Sequence, residues 1–277
     1  MALAAGAALL ALLALAPNAA ADVFTPESGG SSNADDIDTI YKIVLYVAIV
    51  IFLIVEGTLV WSLVKYRARR HGPEPAQIRG NTPLEVGWTI GASLILVVLT
   101  AVTFIYLGDI KDPPASDADG LQVASLNQAD PPGDRPSLDI DVNGQQYLWR
   151  YDYPGKEQLF SYHELVVPTG TTVTLNVTAS DVIHSWWIPE LGGKVDGVPG
   201  HDNETWFKVP HDKAGETFEG QCAELCGEGH ADMRARVVAL SPAAFEEWAA
   251  EQRAAIQEAA EGLAEQREER EGSVEGS

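Results

Sequence analysis

The sequence predicts a membrane-anchored all-β protein: a two-helix transmembrane hairpin followed by a β-sandwich. Three observations carry that prediction. Two apolar blocks between residues 37 and 107 are each long enough to cross a bilayer. The segment between them is rich in Lys and Arg. After it, the 277-residue chain breaks into short alternating runs divided by turn residues.

Residues 1–21, MALAAGAALLALLALAPNAAA, read as an export signal. The Ala- and Leu-rich run ends at Pro17, and Ala19 and Ala21 offer a small-residue cleavage site before Asp22. A short first membrane helix is the alternative. The first span is expected over 37–65, around YKIVLYVAIVIFLIVEGTLVWSLVKY. The second is expected over 85–107, around WTIGASLILVVLTAVTFIYL. Soluble helices rarely run this far without a polar face.

The loop at 66–84 puts Arg67, Arg69, Arg70 and Arg79, with Lys65 at its edge, against a single Glu74. Cationic loops stay in the cytoplasm, so both chain ends are expected outside, in agreement with an export signal. Two carboxylates sit in or beside the spans. Glu56 lies inside the first, where a hydrogen bond to a neighbouring helix would satisfy it. Glu85 opens the second, at the level of the interface.

Beyond Leu107 the linker GDIKDPPASDADG leads into a domain expected over 120–240. Leu138, Ile140 and Val142 alternate with Asp139 and Asp141. Val173, Leu175 and Val177 alternate with polar residues, and Met233, Ala235, Val237 and Ala239 alternate with Arg234 and Arg236. Such runs are strands with one buried face, and many short strands make a sandwich or barrel. From 242 to 277 the sequence turns to Ala, Glu, Gln and Arg, with Phe245, Trp248 and Ile256 as a thin apolar stripe. It reads as an acidic helix whose first turns pack on the domain.

Composition narrows the function. The net charge of −22, from 40 acidic and 18 basic residues, argues against a nucleic-acid surface and suits a basic protein partner. Only two cysteines are present, which excludes a disulfide-rich scaffold and any four-Cys metal site within the chain.

Both cysteines fall in one run, QCAELCGEGHADM. Cys222 and Cys226 are followed by His230 and Met233, and His184 stands upstream in SDVIHSWWIPEL. A structural disulfide, a Cys₂His₂ zinc site and a chance juxtaposition all compete. A disulfide leaves His230 and Met233 unexplained, and zinc has no use for a thioether. Methionine is otherwise found only at the initiator, which weakens chance. Thiolate, thioether and imidazole together suit copper. A mononuclear blue-copper site needs one thiolate, so the second points to two bridged coppers that share an electron.

Residues 37–240 resemble subunit II of the haem–copper cytochrome c oxidases. The resemblance is carried by CAELCGEGHADM, by the upstream HSWWIPELGGKVDGVPG and by the two-helix hairpin. It implies a cupredoxin-like sandwich holding a dinuclear copper A centre. Cys222 and Cys226 would bridge, and His184 and His230 would be terminal ligands. Met233 would be a weak ligand of one copper. Glu224 would give its carbonyl to the other copper, and its side chain to a magnesium shared with subunit I. Glu85 matches the mouth of a proton path into subunit I.

The family's aromatic run usually has a Trp where electrons enter. Here the run is GQQYLWRYDYP, so Tyr147 takes that place, with Trp149 two residues on. Asp152 and Asp181 match positions that dock a basic cytochrome. The chain lacks a C-x-x-C-H haem attachment run, so the donor is expected to be another protein, cytochrome c. The resemblance thus implies the copper subunit of cytochrome-c oxidase, in the plasma membrane with its lipid and with subunits I and III, its copper domain outside. A quinol-linked relative without copper and a copper chaperone are the alternatives. The complete ligand set speaks against the first, and its closed coordination against the second.

Overall fold

Both apolar blocks fold as long helices in the computed structural model, which describes residues 25–67, 76–121, 137–155 and 158–275. The expected export signal lies outside the described residues, as do Arg69, Arg70 and Glu74 of the loop. Helix α1 runs Ser32–Lys65 and α2 runs Thr82–Lys111. Both are long and apolar enough to cross a membrane. Phe52, Leu53, Val97 and Val98 are among the side chains they leave open to the surroundings. Several hydroxyls within the spans are satisfied by the helix itself: Thr58 Oγ1 donates to the Ile54 carbonyl at 2.6 Å and Thr103 Oγ1 to that of Leu99 at 2.9 Å. That internal pairing suits hydrocarbon, where no water can replace it.

The start of α2 is set by a cap. Asn81 Oδ1 accepts from Leu84 N at 3.3 Å, and Glu85 Oε1 accepts from Asn81 N at 3.0 Å. Two otherwise orphaned donors are thereby satisfied, with Pro83 in the first turn where a missing N–H costs nothing. The helix therefore begins three residues before 85, and it continues past 107 to Lys111.

The helices and the remainder form separate compact units, the second taking in residues 26–37 and 109–277. Its centre is the expected sandwich. One sheet holds five strands in the order β3-β2-β1-β5-β8. These are β1 (Leu138–Gln145), β2 (Leu148–Asp152), β3 (Phe160–Tyr162), β5 (Thr172–Ala179) and β8 (Asn203–Lys208). The other has β4 (Glu164–Pro168), β10 (Arg234–Leu240) and β9 (Thr217–Gln221), with β10 between its neighbours. A short pair, β6 (His184–Trp186) and β7 (Val195–Gly197), completes it. β1 runs parallel to β5, and β4 parallel to β10; the other pairings are antiparallel.

The alternating residues behave as their period requires. Leu138, Ile140, Val142, Val173, Leu175, Val177, Ala235, Val237 and Ala239 are all fully buried. Tyr153 pins the edge: its hydroxyl accepts from Val166 N and donates to Val166 O, both at 2.8 Å. Helix α3 (Pro242–Glu275) docks beside it, with Phe245 and Ala249 buried and the Trp248 ring centred 5.3 Å from that of Tyr153, tilted at 57°. Gln252 Nε2 then donates to the Phe160 carbonyl at 3.0 Å.

Candidate metal centre

Three segments converge at one end of the sandwich. β6 supplies His184, the turn between β1 and β2 supplies Gln146 and Tyr147, and the loop from β9 to β10 supplies residues 222–233. That loop is closed by main-chain bonds. Cys222 N donates to the Met233 carbonyl at 2.9 Å, and Ala223 N donates to the Ser185 carbonyl at 2.9 Å, which ties the loop to β6. A 3₁₀ turn at His230–Asp232 brings His230 back over the cysteines.

The cysteines are free, with their sulfurs 3.9 Å apart. Cys222 Sγ lies 3.9 Å from His184 Nδ1, and Cys226 Sγ lies 3.6 Å from His230 Nδ1 and 3.9 Å from Met233 Sδ. The Glu224 carbonyl is 3.2 Å from Cys222 Sγ, while its side chain is exposed. His184, Cys222 and Cys226 are buried and could hold a metal ion. All six expected ligand positions thus meet in one place. Burial pushes the Cys226 thiol up to about 11, helped by the neighbouring Cys222. A metal entering here must displace that proton.

The ring of His184 is oriented from behind. Its Nε2 faces Asp181 Oδ1 at 2.8 Å, so the carboxylate fixes the proton on Nε2 and leaves Nδ1 bare toward the sulfur. Asp181 also accepts from Gln146 N and Val182 N, both at 2.7 Å. Burial works against its charged form, but the bonds from His184, Gln146 and Val182 outweigh it and hold the carboxyl below its usual range.

The two aromatic candidates occupy different layers. Trp149 is fully buried and meets His184 edge-on, with centroids 5.8 Å apart. Tyr147 is exposed and lies on the cysteine loop. Asp152 is held in a forked pair by Arg150, with contacts of 2.7 to 3.1 Å. The Arg150 guanidinium itself sits 4.6 Å over the Phe160 ring. Sequence reasoning missed that pair, although residues two apart on a strand share a face.

The family profile "Cytochrome C oxidase subunit II, periplasmic domain" matches residues 155–240, and its transmembrane-domain counterpart matches 21–105. The probable cytochrome c oxidase subunit 2 of Rickettsia bellii is 32% identical over 236 residues, 78% of this chain and 79% of that protein. The chain belongs to the cytochrome c oxidase subunit II family.

Cytochrome c oxidase subunit 2 of Alkalihalophilus pseudofirmus is 35% identical over 207 residues, 74% of this chain but only 55% of that protein. The crystal structure of the periplasmic domain of subunit II (CoxB) of Bradyrhizobium japonicum is 32% identical. It covers 45% of this chain and 96% of that one, at a TM-score of 0.40. As a subunit II, the chain is a membrane-anchored protein with a periplasmic, cupredoxin-like domain. Its family has a copper centre, and the His184–Cys222–Cys226 group is where this chain could hold metal.

Proposed function

We propose that electrons enter a respiratory cytochrome c oxidase through this chain. It would take them singly from cytochrome c at the outer face of the plasma membrane. It would pass them to haem in subunit I, where oxygen is reduced to water and protons are translocated, in a lipid-embedded complex with subunits I and III. The observation that carries this reading is the donor set: two free sulfurs 3.9 Å apart, an imidazole beside each, and a thioether. Soft sulfur with imidazole, shielded from water, fits copper better than zinc or magnesium.

A dinuclear copper centre, when bound, supplies one-electron storage shared between two metals. Cys222 and Cys226 would bridge it, His184 and His230 would cap it, and Met233 and the Glu224 carbonyl would be its weak ligands. The exposed carboxylate of Glu224 is available to a magnesium shared with subunit I. Asp181 keeps His184 in one tautomer, and the buried strands behind it keep the donors from relaxing when charge changes.

Tyr147 is the residue we assign to receive the electron, since a partner can reach it and cannot reach the buried Trp149. Asp152 and Asp181 remain the proposed docking carboxylates. Each already faces a partner, Arg150 and His184, so the wider acidic surface would supply much of the attraction.

Loading the full chain with copper tests the reading. An electron spin resonance spectrum with one unpaired electron divided evenly over two coppers is expected. A single-copper spectrum, or none, overturns it. Glu85 has a second role proposed for it, at the mouth of a proton path. Glu85→Gln keeps an oxygen to accept from Asn81 N, so the helix cap survives while the carboxyl is lost. Turnover of the assembled oxidase should fall with copper reduction unchanged; unchanged turnover removes Glu85 from the path.

A further inference from the structure

Gln146 makes two contacts that join parts of the centre otherwise separate in sequence. Its backbone N–H donates to Asp181 Oδ2 at 2.7 Å, on the same carboxylate whose other oxygen holds His184 Nε2. Its side-chain Nε2 donates to the Cys226 carbonyl at 2.6 Å. One residue therefore grips the support of one imidazole and the backbone of the opposite cysteine.

The cysteine loop is shaped to admit this grip. A Cβ at Gly227 would come within 2.6 Å of the Tyr147 hydroxyl and 2.9 Å of Gln146 Nε2. A Cβ at Gly229 would come within 2.5 Å of the Tyr147 ring. Gly227 also has φ of +132°, which a side chain would strain. These two glycines let residues 146 and 147 lie flat on the loop that carries Cys226 and His230. No ladder hydrogen bond does this job, since residues 222–229 lie outside any strand.

We infer that Gln146 is a positioning residue for the metal centre. Through its amide it fixes the Cys226 side of the sulfur pair against the Asp181–His184 side, and so sets how evenly the two metals share charge. The inference rests on the copper reading above. An amide suits the task because it donates to a carbonyl without adding charge beside two thiolates. A cation there would favour one end of the pair over the other.

The test uses the full chain in detergent, with Gln146→Leu and Gln146→Met in parallel. Both remove the Nε2 donor, and both keep the backbone N–H that reaches Asp181. In the metal-free chains, amide exchange at residues 226–230 should quicken about fivefold, the factor expected for one lost hydrogen bond. Strands β1, β5 and β10 should keep their protection. After copper loading, the variants should bind as much copper as the parent but divide the unpaired electron unevenly, with a shifted redox potential.

Loop exchange and spectrum both equal to the parent's would overturn the inference. Loss of strand protection in both variants overturns it as well, because the residue would then hold the fold rather than the centre. A parent chain that itself lacks a shared-valence spectrum sinks the copper reading instead. The exchange measurement on metal-free chains still decides whether Gln146 holds the loop.

Discussion

His184 and His230 stand beside different sulfurs of the same pair, and the protein supports them differently. His184 is on a strand, fully buried, backed by a carboxylate on its far nitrogen and by the edge of Trp149. His230 is on a 3₁₀ turn, half-buried, reached through a loop with two glycines. The first side is built into the fold and is formed whenever the sandwich is formed. The second depends on side-chain and main-chain contacts made across the loop. On the proposed copper reading, a centre whose ligands should not move when charge changes thus has one rigid wall and one clasped wall.

Breaking the shared part should have the largest effect. Cys222→Ser removes one of the two sulfurs proposed to bridge the metals, and the shared-valence signal should vanish from the electron spin resonance spectrum. Its survival would mean that the two sides do not meet at Cys222. Next come the aromatic layers. Trp149→Leu empties space behind His184 and should cost about 3 kcal/mol in denaturant unfolding of the metal-free chain. Tyr147→Leu should cost less than about 1 kcal/mol yet slow oxidation of reduced cytochrome c by the assembled enzyme. Equal costs would erase the distinction between inner and outer layers.

The imidazoles sharpen the comparison directly. His184→Gln replaces a fully buried ring by an amide that fits its pocket and Asp181 less well, and should cost about 2 kcal/mol without metal. His230→Gln should change metal-free stability by no more than about 0.5 kcal/mol, while both substitutions weaken copper retention. Calorimetry of the two metal-free variants separates these outcomes. The smallest effect is expected at Met233→Leu, a swap of similar volume in the core that removes one weak donor. Copper should stay bound with an altered potential; complete loss of metal would show that Met233 does more than tune it.

Much of this is legible in the amino-acid sequence. Period-two alternation identified the inner faces of β1, β5 and β10, because a strand has no other way to bury every second residue. Spacing alone gathered Cys222, Cys226, His230 and Met233, and chain order alone could not show that His184 joins them from 38 residues upstream. The cap on α2 was written in the Asn81–Thr82–Pro83 run, yet the span was read from hydropathy, which is blind to polar first turns. What the sequence concealed are contacts between loops. Gln146 to the Cys226 carbonyl spans 80 residues and ends on a backbone atom, so no residue type at 226 announces it. The Asp181 carboxylate likewise looks like any surface acid until His184 is seen against it.

Helix α3 has one more consequence. At about 1.5 Å per residue its 34 residues form a rod on the order of 50 Å long, and its contacts with the sandwich end near Gln252. From Ala254 to Glu271 nearly every side chain meets solvent. Shortening the rod beyond Ile256 would therefore subtract little packed surface from the domain that it caps.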